Sequence, residues 1–236
     1  MTDIRTTPAT APTVAEVAHE PDGFRRVAAM AGIGAVVVGM TTIPLMGSAP
    51  RLGDSADVIG AYFAGNADPH RLAVVAAALL AIPIAIFMAG VYRSLVAGSG
   101  RSSTGWAAVF LYGAIMMSAT AGMREALYAL GVRYAATSPD PGVLALVSDA
   151  SSIAGATLGA WIAVALGAVC IAALRTPNAQ RWYAGLSGLV AAIGVISVID
   201  TISTSTGGAV ADAAFGGFIL WMITSAIVML RRPLLP

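Results

Sequence analysis

The sequence predicts an all-α fold: a polytopic six-helix transmembrane bundle with a small external helical cap. Three observations predict it. Hydrophobic residues make up 58% of the chain and charged residues only 11%, with a mean hydropathy of +0.82; soluble domains carry roughly 25% charge. Apolar runs recur along the 236 residues, and the longest, 150–174, holds 25 residues without a charge. As a helix that run extends roughly 37 Å, enough to cross a hydrocarbon core of about 30 Å with some tilt. The arginines, finally, concentrate in alternate loops, as expected when successive spans reverse direction.

Taken in order, residues 1–26 carry prolines, threonines and mixed charges without apolar periodicity, and read as a disordered cytoplasmic tail in which His19 has no metal-spaced partner. The membrane domain is 27–232. Span 1 covers about 27–46, opened by Arg25 and Arg26, with Gly32, Gly34 and Gly39 on a small-residue face and Pro44 bending its far end. In the following loop, Asp54–Gly65 reads as a short amphipathic helix capped by Asp54, with Val58, Ile59, Tyr62 and Phe63 on one face. His70, between Asp68 and Arg71, reads as an exposed, solvated histidine.

Span 2 covers about 72–92, with Pro83 as a tolerated bend. Span 3 covers about 105–123, and its helical pattern continues past Arg124 and Glu125 towards the breaker Ser138-Pro139-Asp140-Pro141-Gly142. A second short helix, Val143–Asp149, is expected before span 4 at about 152–174. Within span 4, Gly155 and Gly159 are the helix-packing residues, because small residues four apart let two backbones approach. Span 5 covers about 182–201, with Trp182 and Tyr183 at an interface position, and span 6 about 213–230, followed by Arg231 and Arg232.

Nine of the thirteen arginines fall in the N-terminal tail, loops 2–3 and 4–5 and the C-terminal segment, whereas the opposite side holds eight of the twelve acids. The positive-inside rule then predicts both N- and C-termini to be cytoplasmic.

Composition also excludes functions. A net charge of +1 excludes a strongly basic nucleic-acid binder, and the single cysteine, Cys170, excludes an intrachain disulfide and reads as a packing residue. There is no lysine, hence no Walker-type or Schiff-base lysine. No metalloprotease, esterase or redox motif is present, so no catalytic residue, metal site or cofactor is assigned.

The candidate ligand-binding residues are Arg124, Glu125, Asp149, Asp200 and Asp212. Counted along their helices, they share one level near the external interface. They form either a structural collar of interfacial charges or the mouth of a cavity for a polar or cationic ligand or lipid headgroup. Arg124–Asp200 is the pair expected to matter first. The expected partners are the lipid bilayer, a lipid or small-molecule ligand, and a second copy of the chain.

Three stretches, Asp54–Phe63 leading to His70-Arg71, the span 3–4 connection with Pro139–Gly142 and Asp149, and Arg181-Trp182-Tyr183-Ala184-Gly185-Leu186-Ser187-Gly188, carry a resemblance. Over most of residues 25–232 the chain resembles a group of six-span bacterial membrane proteins, the domain-of-unknown-function family numbered four-three-eight-six and its relatives. The resemblance implies a six-helix integral membrane protein and supplies no activity. The expected function is non-enzymatic binding of a lipid, small molecule or partner protein. The alternatives are a small-molecule transporter or exporter, and a lipid-modifying membrane enzyme using the external carboxylates.

Overall fold

Apolar chain in lipid must satisfy its backbone hydrogen bonds internally, which helices do within one segment. A computed structural model describes residues 22–46, 50, 52–65, 67–98, 104–137, 140–177, 179–203, 208–232 and 234–235, and all of its regular elements are α-helices. They are α1 (Asp22–Met46), α2 (Ala56–Gly65), α3 (Ala67–Ala97), α4 (Thr104–Thr137), α5 (Pro141–Arg175), α6 (Arg181–Ser203) and α7 (Gly208–Arg231). All but α2 are long and apolar enough to cross a membrane. The expected tail lies mostly outside the described residues, as do His19, Arg51, Ser138 and Pro139.

The six long helices form a closed ring. Each packs on its chain neighbour, α3 packs on both α1 and α4, and α7 returns to α1. Residues 22 and 231 therefore lie at one end, and α2 lies at the other, against α4 and α5. Large apolar side chains such as Met30, Leu79, Ile82, Ile115, Leu189 and Ile196 face outward and are more than half exposed. An outer surface this apolar suits hydrocarbon rather than water. The ring interior is filled: Phe87, Phe110, Leu166 and Trp221 are completely buried in one cluster fed by all six long helices.

Close backbone approach sets the tightest crossings. A β-carbon on Gly159 of α5 would collide with Ser197 Oγ and stand 2.9 Å from the Gly194 carbonyl oxygen of α6. One on Gly113 of α4 would stand 2.8 Å from the Ala165 backbone nitrogen. Gly159 thus acts in packing inside the chain. Cys170 packs beside Gly188 in the same α5–α6 seam. At the end shared by residues 22 and 231, the Arg93 guanidinium lies 5.0 Å from the Phe24 ring and that of Arg175 lies 5.4 Å from Trp106. Arginines stacked on aromatic faces suit an interface between hydrocarbon and water.

Two local expectations are corrected. No separate helix covers Val143–Asp149; α5 runs unbroken for 35 residues from Pro141. Asp140, in extended conformation, accepts a 2.8 Å bond from the Gly142 N–H, Pro141 occupies the first turn, and no further proline interrupts the helix. The N-cap of α2 is Ser55 rather than Asp54: the helix starts at Ala56, and the Val58 N–H donates to Ser55 Oγ at 3.4 Å. At about 1.5 Å per residue, α4 and α5 are roughly 50 Å long, some 20 Å more than a hydrocarbon core requires, and α2 packs where they overrun.

Candidate functional site

The α2 end is built on a small second hydrophobic cluster. Ile59 and Phe63 of α2 bury themselves against Tyr128 and Val132 of α4 and Leu144 of α5, whereas Val58 stays half exposed. Phe63 fits because Gly131 has no side chain; a β-carbon there would come within 2.9 Å of the ring.

His70, in the first turn of α3, is the residue the sequence misjudged. Its side chain is wholly buried, contrary to the expected solvated histidine. The reason is non-local: α2 folds across the start of α3 and brings the Tyr62 ring to 4.6 Å from the imidazole, with Tyr128 at 5.2 Å and Phe63 at 6.2 Å. Tyr128 Oη lies 3.2 Å from His70 Nε2, and the Tyr62 and Tyr128 hydroxyls bond to each other. Burial pushes the Tyr62 hydroxyl above its ordinary pKa, while its bond to Tyr128 and the Arg124 charge pull it down. The net upward shift keeps this phenol neutral at physiological pH.

Below this cluster, between it and the main core, lies a polar layer contributed by α4 and α5: Arg124, Glu125, Ser148, Asp149 and Ser151. Ser151 Oγ donates to the Arg124 carbonyl oxygen at 3.5 Å. The Arg124 side chain passes over Gly155, with Cδ and Nε 3.4 Å from where a β-carbon would sit, so Gly155 makes room for an arginine rather than for a helix backbone. Arg124 Nη1 meets Glu125 Oε1 at 3.9 Å. The second Glu125 oxygen, Oε2, and Asp149 Oδ1 are buried with no hydrogen-bond partner within the chain. Native proteins leave few buried polar atoms in that state.

Of the five predicted ligand-binding residues, Arg124 and Glu125 face each other directly, and Asp149 lies two residues before the Ser151 that bonds to Arg124. Asp200 joins them by register: Gly159 opposes Gly194 and Ser197, so one turn further along the antiparallel pair Asp200 comes level with Gly155 and the Arg124 that crosses it. Asp212 stands apart, exposed on α7, which packs chiefly on α6 and α1. The sequence reading missed Tyr62, His70 and Tyr128 as a unit. Tyr62 was legible on the apolar face of α2, and Tyr128 follows Arg124 by one helical turn.

Deeper in the ring several hydroxyls bond to their own helices. Ser118 donates to the Ala114 carbonyl, Ser197 to Gly194 and Thr224 to Leu220, while Ser187 and Ser225 link α6 to α7 through Trp221 and Tyr183. A groove of about 430 Å³ between α5 and α6 is lined by Ala160, Ala163, Val164, Val195, Val198 and Ile199. It is almost wholly apolar. No group of three His, Cys, Asp or Glu side chains suited to a metal ion occurs among the described residues. Compared with protein-family models, curated proteins and solved structures, the chain matches none of them.

Proposed function

We propose that this integral membrane protein lies in a bacterial plasma membrane with the ends of α1 and α7 cytoplasmic, and that its external polar layer binds a cationic or hydrogen-bond-donating group. The arginine asymmetry between alternate loops supports the orientation. The site reading rests on one observation: Glu125 Oε2 and Asp149 Oδ1 lie buried and unpartnered between two apolar clusters. Leaving such an oxygen unsatisfied costs about 1–3 kcal/mol, and more when it is charged. A ligand that donates to both recovers that cost as affinity. With one arginine against the carboxyl groups of Glu125, Asp149 and Asp200, the layer carries more acidic than basic side chains, which favours a cationic headgroup or small molecule over an anionic one.

Binding fits better than conduction. The hydroxyls named above that lie below the layer engage their own helices or a neighbour, and Phe87, Phe110 and Trp221 fill the ring interior. Kinship with the six-span family four-three-eight-six is part of the same proposal, supported by Asp54–Phe63 and by the Arg181–Gly188 opening of α6.

Native mass spectrometry of the protein released from nanodiscs tests the site. The wild-type chain retains a discrete additional mass, and Glu125→Gln combined with Asp149→Asn loses it. Varying the nanodisc lipid distinguishes a headgroup from a free small molecule, because only a lipid mass follows the composition. A bare wild-type chain in every composition would overturn the reading.

A further inference from the structure

We infer that α2 is a proton-sensitive cap, released from the ends of α4 and α5 when His70 is protonated. The imidazole is the point at which three helices are tied together. It belongs to the first turn of α3, its Nε2 meets Tyr128 of α4, and Tyr128 bonds in turn to Tyr62 of α2. It is completely buried although its chain neighbours Asp68, Pro69, Arg71 and Leu72 are all exposed. His70 therefore reaches water by displacement of α2 alone, without disturbing the six-helix ring.

Protonation sets two demands against this arrangement. A cation is introduced into a fully buried position among the Phe63, Tyr62 and Tyr128 rings, where desolvation is unfavourable. Nε2 is also converted to an obligate donor, so the Tyr128 hydroxyl is confined to accepting from it. Among the described residues, the charges on the elements packed here do not cancel the first effect. On α3 itself Asp68 and Arg71 pair with each other at 3.4 Å on the surface. On α4, Arg124 opposes a second cation while Glu125 favours one, and these two groups already face each other at 3.9 Å. Asp149 on α5 belongs to the layer beneath, and Asp57 of α2 lies exposed in the first turn of its helix, away from the buried face.

The opened state is small. The cluster that holds α2 comprises five buried residues, Ile59, Phe63, Tyr128, Val132 and Leu144, and is separate from the main core. Such a satellite opens locally well below the free energy of global unfolding. The sign follows from proton linkage: the closed cap excludes the proton and the open one accepts it. Cap stability is therefore complete above the ordinary histidine range, near pH 6.5, and falls as pH drops below it. Opening uncovers the layer holding Glu125 and Asp149. The cap movement rests on His70 geometry alone; only its effect on ligand exchange rests on the binding reading above.

Hydrogen–deuterium exchange of the full chain in nanodiscs tests this, at about pH 7.5 and about pH 5.5 on either side of an ordinary histidine. After correction for intrinsic exchange, peptides from 56–65 lose protection by up to about tenfold at the lower pH, equivalent to about 1.4 kcal/mol. Peptides from α6 and α7 serve as the unchanged reference. His70→Phe, which keeps an aromatic ring, abolishes the pH dependence, and His70→Gln does so with a polar neutral side chain should the phenylalanine variant not fold. Equal protection at both pH values, greater protection in acid, or an acid response that persists in these variants would overturn the inference. None of these readings depends on whether a ligand is found by mass spectrometry, so the two proposals fail separately.

Discussion

Trp221 shows how a single residue is handled in this membrane interior. Its indole is completely buried against Phe87 and Phe218, yet its N–H finds Ser187 Oγ at 3.0 Å, and Ser187 in turn donates to the Tyr183 carbonyl at 2.9 Å. Tyr183 reaches back across to Ser225 at 2.9 Å. Interhelical bonds of this kind are worth about 0.6–2 kcal/mol in membrane proteins. Ser187→Ala strands the indole N–H and is expected to destabilise the bundle by about 1–2 kcal/mol, measured as the shift in a reversible unfolding titration in mixed micelles. Trp221→Phe in the Ser187→Ala background should then cost less than the two single changes summed, because donor and acceptor leave together. At this same scale the sequence was least informative. His70 stands among exposed neighbours and reads as solvated; nothing local announces that a helix ten residues long will fold over it. Glu125 and Asp149, by contrast, were legible, because charges at the ends of apolar runs stand out in a chain with so few.

At the scale of elements, apolar length and helix punctuation account for most of the fold. Six runs long enough to span, separated by glycine, proline and arginine, specify six helices, and the structure has six helices long and apolar enough to cross a membrane, of which α4 and α5 run well past the expected spans. The continuity of α5 was missed because Ser138-Pro139-Asp140-Pro141-Gly142 reads only as a breaker. Asp140 and Pro141 are also a strong helix start, and the start governs the next 35 residues. Packing between elements was partly legible. Gly155 and Gly159 are both small for a reason, but the reasons differ: Gly159 admits the backbone of α6, whereas Gly155 admits the side chain of Arg124. Substitution separates them. Gly159→Leu forces α5 from α6 and is expected to cost about 3 kcal/mol or more, visible as loss of the monodisperse peak in size-exclusion chromatography. Gly155→Ala meets only the flexible arginine and is expected to fold normally.

At the scale of the whole molecule, the arginine distribution predicts which end faces the cytoplasm, and thiol labelling in intact cells checks it. In a Cys170→Ser background, Asp57→Cys is expected to react with a membrane-impermeant maleimide from outside. Arg231→Cys should react only after permeabilisation. The reverse pattern would invert the molecule and place the His70 cap inside. The order of helices around the ring could not be read from the sequence, because every long helix is apolar on all sides and none advertises its neighbour. The observed order joins the first long helix to the last: α7 packs on α1 as well as on α6, and at Gly90 the chain brings α1 and α7 together, with Ala28 and the Met229 methyl crowding the same α3 position. That closure bears on how the protein is made. Translation delivers α1 well before α7, so until α7 follows α6 the bundle presents two unsealed flanks, on α1 and α6, to the surrounding lipid and to whatever insertion machinery attends it. When α7 partitions into the membrane both flanks are covered at once, so closure of the ring is one event that separates an open bundle from a sealed one.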